Sequence, residues 1–161
     1  MDVAGSYAYV AQEAQGLRVI DISDPVNAVE VGHYDTPNYS MGVIISGHYA
    51  LLSESAGLRI VDITNPNAPS FVSSLDMPYA QALDCVVISG YAYVADGHNG
   101  VAMIDVTNLA NPILADMYNT AGAAKGVAEA NGLIYVADDY NGLLILEPHI
   151  INKTFLPLII R

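Results

Sequence analysis

The chain repeats itself with a period of about 42 residues. The segment GLRVIDISDP at 16–25 returns as GLRIVDITNP at 57–66 and, in altered form, as GVAMIDVTNLANP at 100–112. A fourth copy begins as GLLILEP at 142–148. A second glycine series keeps the same step at Gly5, Gly47, Gly90 and Gly132. Repeats of this length are typical of β-propeller blades, because one such unit cannot bury both of its faces alone.

Each full repeat predicts four short strands. The first strand is a Val/Ile-rich segment such as GVIIS at 42–46 or CVVIS at 85–89, and a YAYVA-like strand follows the glycine. The LRVIDI segment is the third strand, and segments such as SFVSSLD at 70–76 form the fourth. Nearly continuous Val and Ile runs indicate sheets that are buried on both faces. We therefore predict an all-β propeller of about four four-stranded blades.

The predicted blades leave two architectures open. Their boundaries are about 1–36, 37–78, 79–120 and 121–148, followed by a tail or closing outer strand at 149–161. In one alternative the ring closes with four blades, and the tail pairs as an outer strand, where Pro157 is tolerated. In the other the chain is an open arc or a fragment of a larger propeller. An open arc exposes apolar end faces, so it predicts a dimer or larger assembly, whereas a closed ring predicts a monomer.

The composition limits the classes of partner and cofactor that we expect this chain to bind. Among 161 residues, 17 acids against five bases give a net charge of −12, which opposes binding to nucleic acid or to an anionic membrane. The single Cys85 cannot form an internal disulfide, and no Cys/His cluster has metal-ligand spacing. No apolar run is long enough to span a bilayer. We predict no cofactor and no metal, and we expect no signal peptide within this chain as given.

The repeated segments GLRVIDISDP and GLRIVDITNP, with YAYVA upstream and VGHYDTP downstream, resemble the LVIVD repeat family. The resemblance covers about residues 3–148 and implies a bacterial or archaeal β-propeller repeat protein. It further implies a secreted or cell-surface protein that acts as an interaction scaffold. The last copy departs from the pattern, because Glu147 stands where the other copies have Asp.

Three aspartates recur at one position of the repeat: Asp21, Asp62 and Asp105. They could be ligands of a repeated ion site, but each is followed two residues later by Ser or Thr at a strand end. A carboxylate there can accept backbone N–H bonds and fix the turn. We favour this structural role. The loops DGHNG at 96–100 and DDYNG at 138–142 lack the full calcium-loop spacing and are typical of tight hairpins.

The connections between blades vary as a binding surface should. They are TPNYSMG at 36–42, MPYAQALD at 77–84 and NTAGAAKG at 119–126, and loops on rigid scaffolds often carry recognition. The candidate binding residues in them are Tyr39, Met41, Tyr79, Asp84 and Lys125. The alternative is that the two tyrosines pack under the loops.

Three functions remain open at this stage. The leading one is a non-enzymatic module that binds a protein or carbohydrate ligand through these loops, because the sequence contains no catalytic motif. The second is a hydrolase or lyase at the channel mouth, which requires at least two of His33, His98, Asp84 and Lys125 to meet in one pocket. The third is a purely structural arc that assembles with other chains.

Overall fold

The computed structural model describes residues 1–77, 80–149 and 154–158 and is all-β. These residues form four antiparallel sheets of four strands, each with its strands in chain order. The first sheet contains β1 (Asp2–Ala4), β2 (Tyr7–Ala11), β3 (Leu17–Asp21) and β4 (Val29–Tyr34). The second contains β5 (Ser40–Ser46), β6 (Tyr49–Glu54), β7 (Gly57–Asp62) and β8 (Ser70–Asp76). The predicted four-stranded blades are confirmed.

The third and fourth sheets follow the same order. The third contains β9 (Asp84–Ile88), β10 (Tyr91–Ala95), β11 (Val101–Asp105) and β12 (Ile113–Tyr118). The fourth contains β13 (Ala124–Ala130), β14 (Leu133–Asp138), β15 (Gly142–His149) and β16 (Thr154–Leu158). The tail thus supplies the outermost strand of the fourth sheet, and Pro157 pairs opposite Leu146 on that edge. Within the described residues no helix has the length and apolar character needed to cross a membrane.

The glycine before each third strand has a steric reason. Gly16, Gly57 and Gly100 have φ angles of 74°, 136° and 89°, which side-chain-bearing residues rarely adopt. A Cβ at these positions would also collide with the carbonyl oxygen of the neighbouring outer strand. Glycine therefore lets the outer strand approach the third strand at the same point of the first three repeats, whereas a Cβ at Gly142 would meet nothing within 4 Å.

Three hydrophobic cores join neighbouring sheets, and we call them seams. The seam between sheets 1 and 2 includes Tyr9, Leu17, Val19, Leu52, Val61 and Ile63. The seam between sheets 2 and 3 includes Leu51, Leu58, Ile60, Cys85, Val94 and Ile104. The seam between sheets 3 and 4 includes Tyr93, Val101, Met103, Ile134, Val136 and Leu146. Among the described residues no core joins sheet 4 to sheet 1, so the four described sheets form an arc that is not closed into a ring.

Polar contacts reinforce the seams along the innermost strands. Asp2 on β1 accepts a 2.7 Å hydrogen bond from the Ile45 amide on β5. Asp84 on β9 accepts a 3.1 Å bond from the Val127 amide on β13. Near the outer edge, the Ser73 hydroxyl donates to the Leu109 carbonyl of the next blade at 2.6 Å. Because bonds to a charged acceptor are stronger than neutral ones, the inner carboxylates help to set the spacing between blades.

Candidate functional site

The recurring aspartates lie at strand ends and bind their own turns. Asp21 accepts the Ser23 amide at 2.8 Å, and Asp62 accepts the Thr64 amide at 2.7 Å. Asp105 accepts both the amide and the hydroxyl of Thr107, at 3.1 and 2.6 Å. Bonds from Ser23 and Thr64 hold the pKa of Asp21 and Asp62, respectively, below the usual range of a carboxyl. These contacts are those that a turn-fixing role requires.

One cavity brings two of the predicted binding residues together. Tyr39 and Met41 line a cavity of about 380 Å³ where the first blade's hairpin, the start of β5 and the 81–83 segment meet. Tyr39 is 56% exposed and Met41 45% exposed, so both side chains are open to solvent. The remaining lining residues are Glu13, Ser55, Gln81, Ala82 and Leu83. We call this space the Tyr39 cavity.

The backbone around the Tyr39 cavity is held on both sides. Glu13 and Ser40 exchange two backbone hydrogen bonds, at 2.9 and 3.0 Å, between the first blade's hairpin and β5. The Ser55 amide donates to the Tyr39 carbonyl at 3.0 Å. The buried hydroxyls of Thr36 and Ser40 bond at 2.9 Å beneath the loop. The exposed Tyr39 and Met41 side chains therefore project from a fixed backbone.

The other predicted binding residues are not part of this cavity. Asp84 lies in β9, where its two oxygens accept the amides of Cys85 and Val127. It lines a separate cavity of about 300 Å³ with Gly126 and neighbouring residues of the fourth sheet. Lys125 is exposed on β13. Tyr79 lies outside the described residues.

The four residues that an enzyme would need at the channel mouth do not share the lining of a described cavity. His33 lies on β4 with its Nδ1 3.7 Å from a Glu30 oxygen. His98 lines a third cavity of about 420 Å³ that includes Asp96 and Asn99, and the described lining of this cavity includes neither Asp84 nor Lys125. The Asp96 carboxylate is occupied, because it accepts the Gln81 amide at 2.5 Å and the Asn99 side chain at 3.2 Å. Burial raises the pKa of Asp96 despite these bonds.

The sequence analysis missed three buried carboxylates in the hairpins between second and third strands. Glu54, Asp96 and Asp138 are at most 2% exposed. Aligning the hairpins on the glycine that follows them would have shown Asp96 and Asp138 at one shared position, four residues before Gly100 and Gly142. The pattern of the sequence alone did not separate these carboxylates from exposed hairpin residues.

Asp138 differs from Asp96 in its hydrogen bonds. Its Oδ2 accepts from Asn141 at 2.8 Å, but its buried Oδ1 has no partner among the described residues. The buried hydroxyl of Thr120 is also without a partner there. Asp138 and Thr120 line one cavity of about 380 Å³, with Asn141 and Leu143 on its wall. The fourth blade therefore has polar atoms that a bound group or water could satisfy.

Comparisons with known proteins agree with this architecture. The crystal structure of the computationally designed Ika8 protein is similar over 96% of this chain, with 8% sequence identity and a TM-score of 0.72. The match covers 46% of that chain, so the present chain spans less than half of its length. Among curated proteins none matches.

The family comparison covers nearly the whole chain. The family model described as the LVIVD repeat matches four successive segments, 1–36, 37–77, 80–120 and 121–147. These segments coincide with the four sheets, apart from the outermost strand β16. The chain therefore belongs to the LVIVD repeat family.

Proposed function

We propose that this chain is a non-enzymatic binding module whose ligand site is the Tyr39 cavity. The observation that supports the proposal is the meeting of exposed Tyr39 and Met41 with the 81–83 segment in one cavity of about 380 Å³. An exposed tyrosine and methionine beside a rigid scaffold are typical of protein-binding surfaces. The family resemblance supports an exported or surface-associated protein as the context of this module.

The lining of the cavity favours a protein segment over a carbohydrate. Met41, Ala82 and Leu83 form an apolar wall, and Tyr39 adds a large ring with few rotatable bonds. Glu13 supplies a carboxylate at the same cavity, within a chain of net charge −12. The ligand that fits is an extended peptide with one apolar side chain and a neighbouring Lys or Arg, because this combination matches both the wall and the charge.

Panning of a random peptide phage library against the immobilised chain tests this function. We expect enriched peptides to combine apolar and basic residues. Tyr39→Ala and Met41→Ala should each weaken their binding by about tenfold or more, the usual effect of truncating a central contact. Tyr140→Ala is the matched control, because Tyr140 is 83% exposed on the fourth blade and lies away from the Tyr39 cavity.

Three results would refute this function. They are a failure to enrich any peptide, binding that both cavity variants retain, and binding that Tyr140→Ala weakens equally. Enrichment of glycans but not peptides on a parallel array, with loss in Tyr39→Ala, would replace the protein ligand by a carbohydrate at the same cavity. Circular dichroism of each variant verifies that the fold is retained.

A further inference from the structure

The two ends of the arc expose positions that the seams bury. Each blade has a leading face, which packs on the next blade, and a trailing face, which packs on the preceding one. In each repeat a second glycine precedes or begins the third strand: Gly16, Gly57, Gly100 or Gly142. The residue that follows this glycine lies on the leading face. In the first three blades this residue is Leu17, Leu58 or Val101, with exposures of 0%, 1% and 0%. In the fourth blade it is Leu143, and Leu143 is 64% exposed.

The trailing face of the first blade shows the complementary difference. In the second blade, the trailing-face residues Leu52, Val61 and Ile63 are 0%, 0% and 4% exposed within the seam. Their counterparts in the first blade are Val10, Ile20 and Ile22, and all three are only half-buried. Val3 on β1 adds an apolar side chain that is 51% exposed. The arc therefore exposes apolar side chains at both ends, Leu143 on the leading side and Val3 on the trailing side, although Ile145 beside Leu143 is only 7% exposed.

These two faces are complementary because of the repeat. Every seam contains the same pair of positions. The leading residue one position after the glycine before the third strand shares a core with a trailing residue of the next repeat, four positions after the corresponding glycine. The pairs are Leu17 with Val61, Leu58 with Ile104, and Val101 with Leu146. Leu143 and Ile20 hold these two positions at the opposite ends of the chain. Within the chain, every leading face packs on a trailing face. A second copy can supply the missing face to each end.

We propose that two copies of this chain associate head to tail and close one ring of eight blades. The leading face of sheet 4 in each copy packs on the trailing face of sheet 1 in the other, so that the same contact occurs twice and covers all four end faces. Contacts of this heterologous kind close a ring when the rotation per subunit allows it. Eight blades lie within the usual range for propellers.

The number of blades supports a pair of copies, because two copies give eight blades and three would give twelve, which is beyond the usual four to eight. The end faces are also separate from the Tyr39 cavity, so assembly and ligand binding can be tested independently.

Light scattering after size exclusion tests the assembly on the 161-residue chain. For a chain of 17.1 kDa, we expect twice this mass. Leu143→Glu should give a monomer with unchanged circular dichroism, because it places a charge in the proposed contact. Val26→Glu should stay dimeric, since Val26 is 91% exposed in the short 3-10 helix Pro25–Asn27 rather than on an end face. A monomeric wild type, or an unlimited filament, would overturn the proposal.

Cysteine cross-linking tests the orientation. A mixture of Leu143→Cys and Ile20→Cys chains should cross-link with a short bis-maleimide, whereas Leu143→Cys alone should not. The native Cys85 does not compete, because it is 3% exposed and burial raises its pKa to about 12. Efficient cross-linking of Leu143→Cys to itself would show a two-fold pairing of like faces and overturn the head-to-tail arrangement, whatever the outcome of the peptide panning.

Discussion

Arg59 and Arg18 occupy the same position of the repeat, one inside the arc and one at its end. Arg59 is 7% exposed, donates to Glu54 at 2.7 Å, and its guanidinium lies 5.3 Å from the Phe71 ring. Arg18 pairs through its terminal nitrogens with Glu30 and Asp35, while its Nε has no partner among the described residues. The arginine inside the arc is thus buried with a short ion pair, whereas the arginine at the end makes longer ion pairs to exposed carboxylates.

The carboxylates near these arginines differ in the same way. Glu54 and Glu13 both stand three residues before the second glycine of their repeat. Glu54 is 2% exposed and binds Arg59, whereas the Glu13 side chain is exposed beside the Tyr39 cavity. For Arg59, burial acts to lower the pKa, but the bond and charge of Glu54 outweigh it and the pKa is raised. Position in the arc, more than the local sequence, decides how strongly these charges interact.

Glu54→Ala should have the largest effect on stability. It leaves the buried Arg59 without its carboxylate partner, and breaking a buried ion pair in this way costs about 3–5 kcal/mol of unfolding free energy. Urea denaturation followed by circular dichroism measures the loss. Glu13→Ala is the matched control at the exposed position and should stay within about 0.5 kcal/mol of wild type. Equal effects of the two variants would contradict the difference between the interior and the end.

Leu58→Ala and Leu143→Ala compare one position of the repeat in a seam and on an end face. Leu58→Ala should cost about 2–5 kcal/mol, because it opens a cavity in the core between sheets 2 and 3. In dilute, dissociated chains, Leu143→Ala should change the free energy of unfolding by no more than about 0.5 kcal/mol. Denaturation at several protein concentrations separates this term from assembly. A large loss for Leu143→Ala that does not depend on concentration would show that the end face is packed within the single chain.

Tyr93→Phe should have the smallest effect, confined to alkaline pH. Tyr93 is fully buried in the seam between sheets 3 and 4, and burial raises its pKa from 10.0 to about 12. The folded state therefore keeps this proton at a pH where the unfolded state releases it. The stability that Tyr93 contributes is fully present below pH 10.0 and is lost as the pH rises towards 12.

The measurement is the urea midpoint of wild type and Tyr93→Phe at several pH values across that window. We expect the midpoint of the variant to fall less steeply than that of wild type, because the phenylalanine cannot titrate. Cys85 remains in both proteins and contributes a loss of the same sign, since burial also raises the pKa of its thiol. Parallel curves for the two proteins would show that Tyr93 does not titrate as a buried group.

The repeat was sufficient to predict the blades, because strand length, turn residues and glycine positions are local properties. The structure moves boundaries by one or two residues, as in β5, which begins at Ser40 rather than Gly42. The choice between a closed ring and an open arc could not be predicted. It depends on the angle between neighbouring blades, and this angle results from packing within the seams.

The candidate site was predictable only in part. Tyr39 and Met41 were proposed from the composition of their loop, and their role in binding stays a prediction. Their meeting with Gln81, Ala82 and Leu83 is a tertiary contact that spacing does not encode. Asp84 was assigned to the same binding surface, and the structure gives its oxygens to backbone amides instead. Asp84 is the first residue of β9, and the sequence alone does not show whether a polar residue at that boundary belongs to the loop or to the strand.

The buried position of Cys85 makes its thiol a probe of local opening in the folded chain. The thiol is the single one in the sequence, lies in the seam between sheets 2 and 3, and contacts the Leu51 carbonyl at 3.6 Å. A soluble thiol reagent can reach it only when that seam opens, because the native thiol is both shielded and protonated. The rate of labelling therefore reports those openings of the native state that expose the core between sheets 2 and 3.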